Sequence, residues 1–160
     1  MSNLIDKDLI VLHSGAKNYS DIFKDLGQTM IDKGYANENY IAGLMERESE
    51  FPTGIQTETI GVALPHTDAS FVKVSKIGLL VLENSVKFGA MGGADERVDV
   101  KIVFLLGCSE GNEHLQALQN VVELIQDTEF VNTLLSLSTK DEAYELLTRK
   151  LTFKLEEEEK

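Results

Sequence analysis

The sequence predicts an α/β fold, in which one mixed β-sheet of about five strands carries helices packed on both faces. Two observations support this prediction. Apolar residues recur at helical spacing in the first and last thirds of the chain, and strand-sized apolar runs fill the middle third. Helices before and after a group of strands are expected to cover the two faces of a single sheet.

A short strand and two helices are expected first. Residues 9–12 form the predicted strand. The first helix is capped by Ser20 and Asp21 and ends at Gly34. Its apolar stripe consists of Ile22, Phe23, Leu26, Met30 and Ile31. A second amphipathic helix starts at Asn37, and the sequence Phe-Pro-Thr-Gly at residues 51–54 ends it.

The middle of the chain contains the other strands. They are predicted over residues 59–64, 76–82 and 98–106, with a further short strand over residues 86–88. Residues 91–95 have the sequence Met-Gly-Gly-Ala-Asp and form a turn between two of them. Together with the first strand, these runs give the expected number of about five.

Three helices complete the predicted fold, over residues 113–125, 128–137 and 139–147. The last of them opens with Thr139 and Glu142, which have the spacing of a capping box. The predicted buried face of the first consists of Leu115, Leu118, Val122 and Ile125.

Length and composition favour one domain. A chain of 160 residues with 42% hydrophobic content can bury one core but is short for two. We expect residues 1–150 to form this domain and residues 151–160, which include four consecutive glutamates, to form an acidic C-terminal tail.

The charge of the chain excludes some classes of partner. The net charge of −12 argues against nucleic acid and against an anionic membrane, because both attract basic surfaces. If such an acidic protein handles phosphoryl groups, it needs a local positive field from backbone N–H groups and a few cations.

The sequence favours a cytoplasmic location without direct membrane insertion. The single cysteine, Cys108, excludes an intramolecular disulfide, and the first residues have neither a basic region nor a long apolar stretch. The apolar runs are shorter than the roughly 20 residues that a membrane-spanning helix requires.

His66 is the first candidate for chemistry. It follows the apolar run at residues 61–64 and Pro65, and proline ends sheet pairing because it has no N–H. The imidazole is therefore expected beyond the end of a strand, where α/β proteins bind ligands. A neutral imidazole can act as nucleophile, general base or metal ligand, and a purely structural histidine is the alternative.

Two further side chains could act with His66. His114 is predicted at the start of a helix, where the dipole favours a neutral imidazole that donates an N–H; the alternative is an ordinary surface histidine. Arg47 is predicted at the end of the second helix. It could cap that helix or pair with a glutamate, or its planar guanidinium could hold a phosphoryl group.

Other polar residues are assigned simpler roles. His13 is predicted in a loop, and Cys108 is interpreted as a small apolar residue at the end of a strand. A zinc hydrolase using His66 and His114 lacks both an HExxH pair and a third ligand, so we predict no metal site and no cofactor.

Four segments, at residues 47–54, 61–66, 98–106 and 113–118, together resemble one known family. They are similar to the IIA component of the bacterial phosphoenolpyruvate-dependent sugar phosphotransferase system, of the fructose-mannitol type. The resemblance covers roughly residues 5 to 148 in the same order. The sequence Glu-Phe-Pro-Thr-Gly at residues 50–54 is closest to the galactitol-specific branch.

The resemblance implies a function and a set of site residues. His66 would accept a phosphoryl group from the phosphocarrier HPr and pass it to a cysteine of a IIB component, which acts with a membrane IIC transporter. His114 and Arg47 match the second histidine and the arginine of the active site, and Thr53 and Gly54 match the loop near them. A regulatory nitrogen-type IIA protein, which acts by binding other proteins, is the alternative within the family.

One position departs from the family pattern. Many relatives have a small or basic residue after the phosphorylated histidine, whereas this chain has Thr67 and Asp68. Asp68 could orient His66 or cap a turn, and we expect the turn.

Overall fold

The structure, a computed structural model, describes residues 4–92 and 96–152. The strands of this part are β1 (Ile10–Ser14), β2 (Gly54–Gln56), β3 (Gly61–Ala63), β4 (Lys76–Gly89) and β5 (Arg97–Gly107). The α-helices are α1 (Tyr19–Asp32), α2 (Tyr40–Glu50), α3 (Gly111–Ile125), α4 (Thr128–Ser136) and α5 (Lys140–Leu147). Short helical turns lie at Lys7–Leu9, Ala69–Phe71 and Thr148–Thr152.

The strands form one mixed sheet in the order β1-β4-β5-β3-β2. The long strands β4 and β5 are antiparallel at its centre, and β1 and β3 flank them in parallel pairings. Strand β2 is antiparallel to β3 at one edge. The predicted mixed sheet of about five strands is therefore confirmed.

Helices cover both faces of the sheet, as predicted, because side chains alternate along the central strands. In β4, Leu79 and Val81 belong to the core beneath α3, α4 and α5, whereas Leu80 and Leu82 belong to the core beneath α1 and α2. The candidate site lies where β3 and β5 end, between α2 on one face of the sheet and α3 on the other.

Several strand predictions need correction. Strand β2 was not predicted: its first residue, Gly54, lies in the segment interpreted as a break, and residues 55 and 56 were assigned to no element. The two predicted strands over residues 76–82 and 86–88 are one strand, β4, with an irregularity in register between Val81 and Val86. The polar residues 83–85, which interrupt the apolar pattern, are exposed there, and β5 is long enough to pair on both sides of them.

His13 was predicted in a loop, but it lies within β1. The register of β1 against β4 shifts between Val11 and Ser14, and His13 has a positive φ of 56° in that interval. Its side chain is exposed. Because of this irregularity, β1 continues past His13 and pairs with β4 again at Ser14. The sequence pattern gives no sign of such a shift in register.

The predicted helix starts were early or late by up to three residues. Asn18 caps α1 by accepting a hydrogen bond from the Asp21 N–H, so the cap precedes the predicted Ser20. Helix α2 begins at Tyr40, and the side chain of Asn37 instead accepts a bond from the Asn39 N–H in the preceding turn. The capping box predicted at the start of α5 is present.

The buried face of α3 was predicted with the wrong centre. Leu115 is 54% exposed, whereas Ala117 and Val121 are buried. Leu118 and Val122 are only partly buried, although they pack against the core. The apolar residues of this helix form a broad arc rather than a narrow stripe, so their spacing does not decide which part of the arc faces the sheet.

Some predictions fall at the edges of the described residues. Residues 93–95 of the predicted turn and residues 153–160 of the predicted acidic tail lie outside them. Leu151, just beyond the predicted domain end, is buried in the core. Within the part of the chain that the structure describes, no helix is both long and apolar enough to span a bilayer.

Candidate active site

His66 lies directly beyond β3, with one ring nitrogen already engaged. Leu106 of the neighbouring strand β5 donates its N–H to the Pro65 carbonyl. This bond holds Pro65, which precedes His66, against the sheet. The Nδ1 atom of His66 lies 2.8 Å from the Leu64 carbonyl oxygen. Because a carbonyl oxygen only accepts, Nδ1 carries the proton and Nε2 keeps the lone pair.

His114 lies beside it. It belongs to the beginning of α3, and the centroids of the two imidazole rings are 4.4 Å apart at an interplanar angle of 48°. Both rings are half-buried. Residues predicted at a strand end and at a helix start are therefore in contact, although 48 positions separate them in the sequence.

A hydrogen-bonded cluster supports the start of α3. The Ser75 hydroxyl donates to the Glu113 carboxylate at 2.8 Å and accepts from the Ser109 N–H at 2.9 Å. These bonds join the residue before β4, the loop after β5 and the residue before His114. Nothing in the sequence pattern indicated this cluster, because its members are joined only by the packing of three elements.

Arg47 lies in the last turn of α2 and is exposed. Its guanidinium carbon is 4.4 Å from the centroid of the Phe51 ring, a cation–π contact. None of the described carboxylates forms an ion pair with Arg47. The alternative of a pair with a neighbouring glutamate is therefore wrong, and the guanidinium remains available to an anion.

The three predicted side chains share a small cavity of about 140 Å³, which Thr67 and Asp68 also line. Arg47 and His66 additionally line a larger cavity of about 640 Å³, on whose rim Phe51 and Met91 expose apolar surface. A small anion in the first cavity would meet two imidazoles and one guanidinium, and also the carboxylate of Asp68.

Both imidazoles are held in the neutral form. Burial lowers the pKa of His66 and outweighs the bond to Leu64, which raises it, and the charge of Arg47 lowers it further. Burial also lowers the pKa of His114, together with the proximity of His66 and Arg47. At neutral pH, His66 can therefore offer a lone pair at Nε2, and His114 can donate one N–H.

Thr53 lines the larger cavity, and Gly54 follows it in the chain. The buried Thr53 donates its N–H and its hydroxyl to the carboxylate of Glu48, at 2.7 and 2.9 Å. Gly54 begins β2, and a Cβ atom there would lie 2.7 Å from the Gly89 carbonyl oxygen. The sequence did not single out Glu48, although its spacing of four from Leu44 on the buried side of α2 was a signal.

Comparison with known proteins identifies the family. The family model described as "Phosphoenolpyruvate-dependent sugar phosphotransferase system, EIIA 2" matches residues 3–150. The chain belongs to this family. It is 33% identical over 118 residues to the galactitol-specific EIIA component of Escherichia coli K12, a match that covers 74% of this chain and 78% of that protein.

A second relative and a solved structure extend the EIIA comparison. The mannitol-specific IIA component of Geobacillus stearothermophilus is 29% identical over 147 residues, covering 90% of this chain and 94% of the relative. The fold matches that of the complex of enzyme IIAMTL with phosphorylated enzyme IIBMTL from Escherichia coli, with a TM-score of 0.71 and 20% identity. That match covers 90% of this chain and 98% of the other.

Two remaining polar residues of this EIIA protein behave as predicted. Asp68 accepts a hydrogen bond from the Ser70 N–H and caps the helical turn Ala69–Phe71. Cys108 follows β5 and is buried in the core, where burial, aided by the charge of Glu113, raises the pKa of its thiol to about 12. Within the two described stretches, no three His, Cys, Asp or Glu side chains come together as ligands for a metal ion.

Proposed function

We propose that this EIIA protein is a cytoplasmic phosphoryl carrier that accepts a phosphoryl group from phospho-HPr on His66 and passes it to a cysteine of a cognate IIB component. The observation that carries the proposal is the state of His66. Its Nδ1 proton is bound to Leu64, so Nε2 is the nucleophilic atom in a cavity shared with His114 and Arg47. IIB would in turn serve a membrane IIC transporter.

The transfer needs few groups. The Nε2 lone pair of His66 forms a bond to phosphorus while the P–N bond of the donor's phosphohistidine breaks, and its electron pair returns to the donor's imidazole. In the second step, the IIB cysteine sulfur forms the new bond and the P–N bond at His66 breaks. In-line positioning and charge stabilisation supply most of the catalysis. Arg47 would bind the phosphoryl oxygens, and His114 would donate an N–H to one of them.

Galactitol is the proposed substrate of the transport system. A galactitol-specific relative is 33% identical, a mannitol-specific relative is 29% identical, and the sequence at residues 50–54 favours the galactitol branch. The two identities differ by only a few per cent, so the test of the sugar is transfer of the phosphoryl group to IIB components of known specificity.

The first test is phosphorylation of the purified protein with phosphoenolpyruvate, enzyme I and HPr. We expect one acid-labile phosphoryl group per chain, attached to Nε2 and observed by ³¹P NMR. His66→Ala should abolish labelling. His13→Ala is the matched control, because it removes another histidine that is exposed in β1, and it should label like the wild type. Labelling retained in His66→Ala would contradict the proposal.

The second stage tests the acceptor. The phosphorylated protein should transfer its group to a galactitol-type IIB component faster than to a mannitol-type one. A protein that is labelled on His66 but transfers to no sugar-specific IIB would instead support the regulatory nitrogen-type alternative.

A further inference from the structure

A continuous path of hydrogen bonds connects the helix that carries Arg47 to the imidazole of His66. It begins at Glu48, the residue next to Arg47, whose two carboxylate oxygens accept the N–H and the hydroxyl of Thr53. The Thr53 carbonyl accepts the Leu64 N–H at 3.3 Å. The Leu64 carbonyl in turn accepts the Nδ1 proton of His66 at 2.8 Å.

Glu48 is an unusual residue for its location. It is only 4% exposed, on the same side of α2 as the buried Tyr40 and Leu44. No described lysine, arginine or histidine forms an ion pair with it. Burial raises the pKa of Glu48 to about 6, in spite of the two bonds from Thr53. A buried carboxylate without a cation costs stability, whereas an apolar side chain at this position would not.

The contacts of Glu48 indicate what offsets this cost. A carboxylate has two accepting oxygens and no donor, and in Glu48 each oxygen accepts one of the two donors of Thr53. Thr53 is thereby fixed against the last turn of α2 on one side and against the strand end that precedes His66 on the other. Arg47 lies in α2 and His66 lies just beyond β3, and this path of hydrogen bonds joins α2 to the end of β3.

We propose that Glu48 is a positioning residue for phosphoryl transfer, which acts through Thr53 and Leu64 to hold Arg47 and the His66 ring in register. The inference rests on the proposed function of His66. It assigns Thr53 a supporting role, without contact to the phosphoryl group. It also makes the tautomer of His66 depend on residues that do not touch the ring.

Thr53→Val tests the path with little change in shape. It removes the hydroxyl that donates to Glu48 and keeps the N–H. We expect the rate constant for phosphorylation at saturating phospho-HPr to fall about tenfold, because small misplacements of reacting groups are costly, with KM within about twofold of the wild type. Thr53→Ser restores the hydroxyl and should recover most of the rate.

A second substitution, combined with the first in a double-mutant cycle, tests whether Glu48 acts through Thr53. Glu48→Gln removes the charge and replaces one of the two accepting oxygens by an NH₂ group, which cannot accept from Thr53, so it should also lower the rate constant. The double variant Glu48→Gln with Thr53→Val should be no slower than the slower single variant, because both interrupt one path. Multiplied losses in the double variant would overturn the proposal.

The control for a merely structural effect is Leu147→Val. Leu147 is buried on α5, which packs against β1 at the opposite edge of the sheet from β3 and β2. This variant should lose stability but keep the wild-type rate constant per folded molecule. If Thr53→Val and Glu48→Gln also keep that rate constant, the positioning role is overturned.

A measurement on the unphosphorylated protein separates this inference from the proposed function. The ¹⁵N shifts of the His66 ring should show the Nδ1–H tautomer in the wild type and a mixture of tautomers in Thr53→Val. An unchanged tautomer in that variant would overturn the positioning role, whether or not the protein is a phosphoryl carrier. Absence of wild-type phosphorylation would instead contradict the proposed function, and with it the positioning role in phosphoryl transfer.

Discussion

His66 combines burial with a backbone hydrogen bond, and these have opposite effects on its basicity. Burial opposes the charged ring, whereas the bond from Nδ1 to the Leu64 carbonyl favours it, and the net effect is a lowered pKa. Arg47 contributes to the lowering and is also the proposed ligand of the phosphoryl oxygens. The same cation therefore adds to the effect of burial in keeping the nucleophile neutral before transfer, and it would stabilise the phosphorylated product after it.

The lowered pKa predicts how phosphorylation depends on pH. Only the neutral imidazole has a lone pair on Nε2, so the rate constant should stay constant as pH falls from 8 to about 6.5, the ordinary value for histidine, and decline only below it. Stopped-flow phosphorylation by phospho-HPr at saturating donor measures this profile.

Arg47→Gln provides the control for this profile. Removing the guanidinium charge removes one cause of the lowered pKa, so the inflection should move to higher pH. The rate constant should also fall at every pH, because the variant loses a proposed ligand of the phosphoryl group. A wild-type inflection above pH 6.5 would contradict the neutral state assigned to His66.

At the scale of elements, the short edge strand β2 determines how closely the loop before it approaches the site. The Gly54 carbonyl accepts the Met91 N–H at 2.8 Å, and its Cα faces the Gly89 carbonyl without space for a side chain. The absence of a side chain at Gly54 thus lets β2 lie against the end of β4. Thr53, immediately before it, is held between α2 and β3.

Gly54→Ala is expected to separate these elements. The added Cβ would lie 2.7 Å from a backbone oxygen that cannot move independently, so we expect the free energy of unfolding to fall by about 2 kcal/mol. Urea denaturation measures the change. Gly15→Ala is the matched control, since no atom lies within 4 Å of a Cβ built there, and it should change stability by less than about 0.5 kcal/mol. Equal effects of the two substitutions would contradict the close packing at Gly54.

For the molecule as a whole, negative charge is in large excess. The chain has 27 acidic and 15 basic residues. Two of the described ion pairs, Lys7–Asp141 and Lys87–Asp99, lie at the surface, where each contributes little. The candidate site differs from this acidic background. Arg47 and the beginning of α3 lie at its cavity, which agrees with the expectation that a phosphoryl site in an acidic protein needs a local positive field.

This charge balance predicts that salt stabilises the protein. Screening should weaken the repulsion among many carboxylates more than it weakens a few surface ion pairs. We expect the thermal midpoint to rise by a few degrees between low and about 0.5 M NaCl. The double variant Glu58→Gln with Glu83→Gln, at two exposed positions, should show a smaller rise. A midpoint that falls with salt would show that attractive pairs dominate.

Predictability from sequence differed among the residues of the site. His66 could be found because a proline-terminated apolar run is a local pattern, and the family resemblance supplied His114 and Arg47 as its companions. Glu48 was missed as a buried group, although its spacing from Leu44 placed it on the buried side of α2. The cluster of Ser75, Ser109 and Glu113 had no local signal at all.

The sequence by itself determined the α/β class, the sheet with helices on both faces and the identity of the candidate nucleophile. These properties follow from periodicity and turn chemistry, which act between residues that are close along the chain. Only the tertiary structure decided the location of His13 in β1, the exposed side of α3 that carries Leu115, the existence of β2 and the path from Glu48 to His66. Each of these depends on contacts between elements, because register and helix rotation are set by the partner that an element packs against.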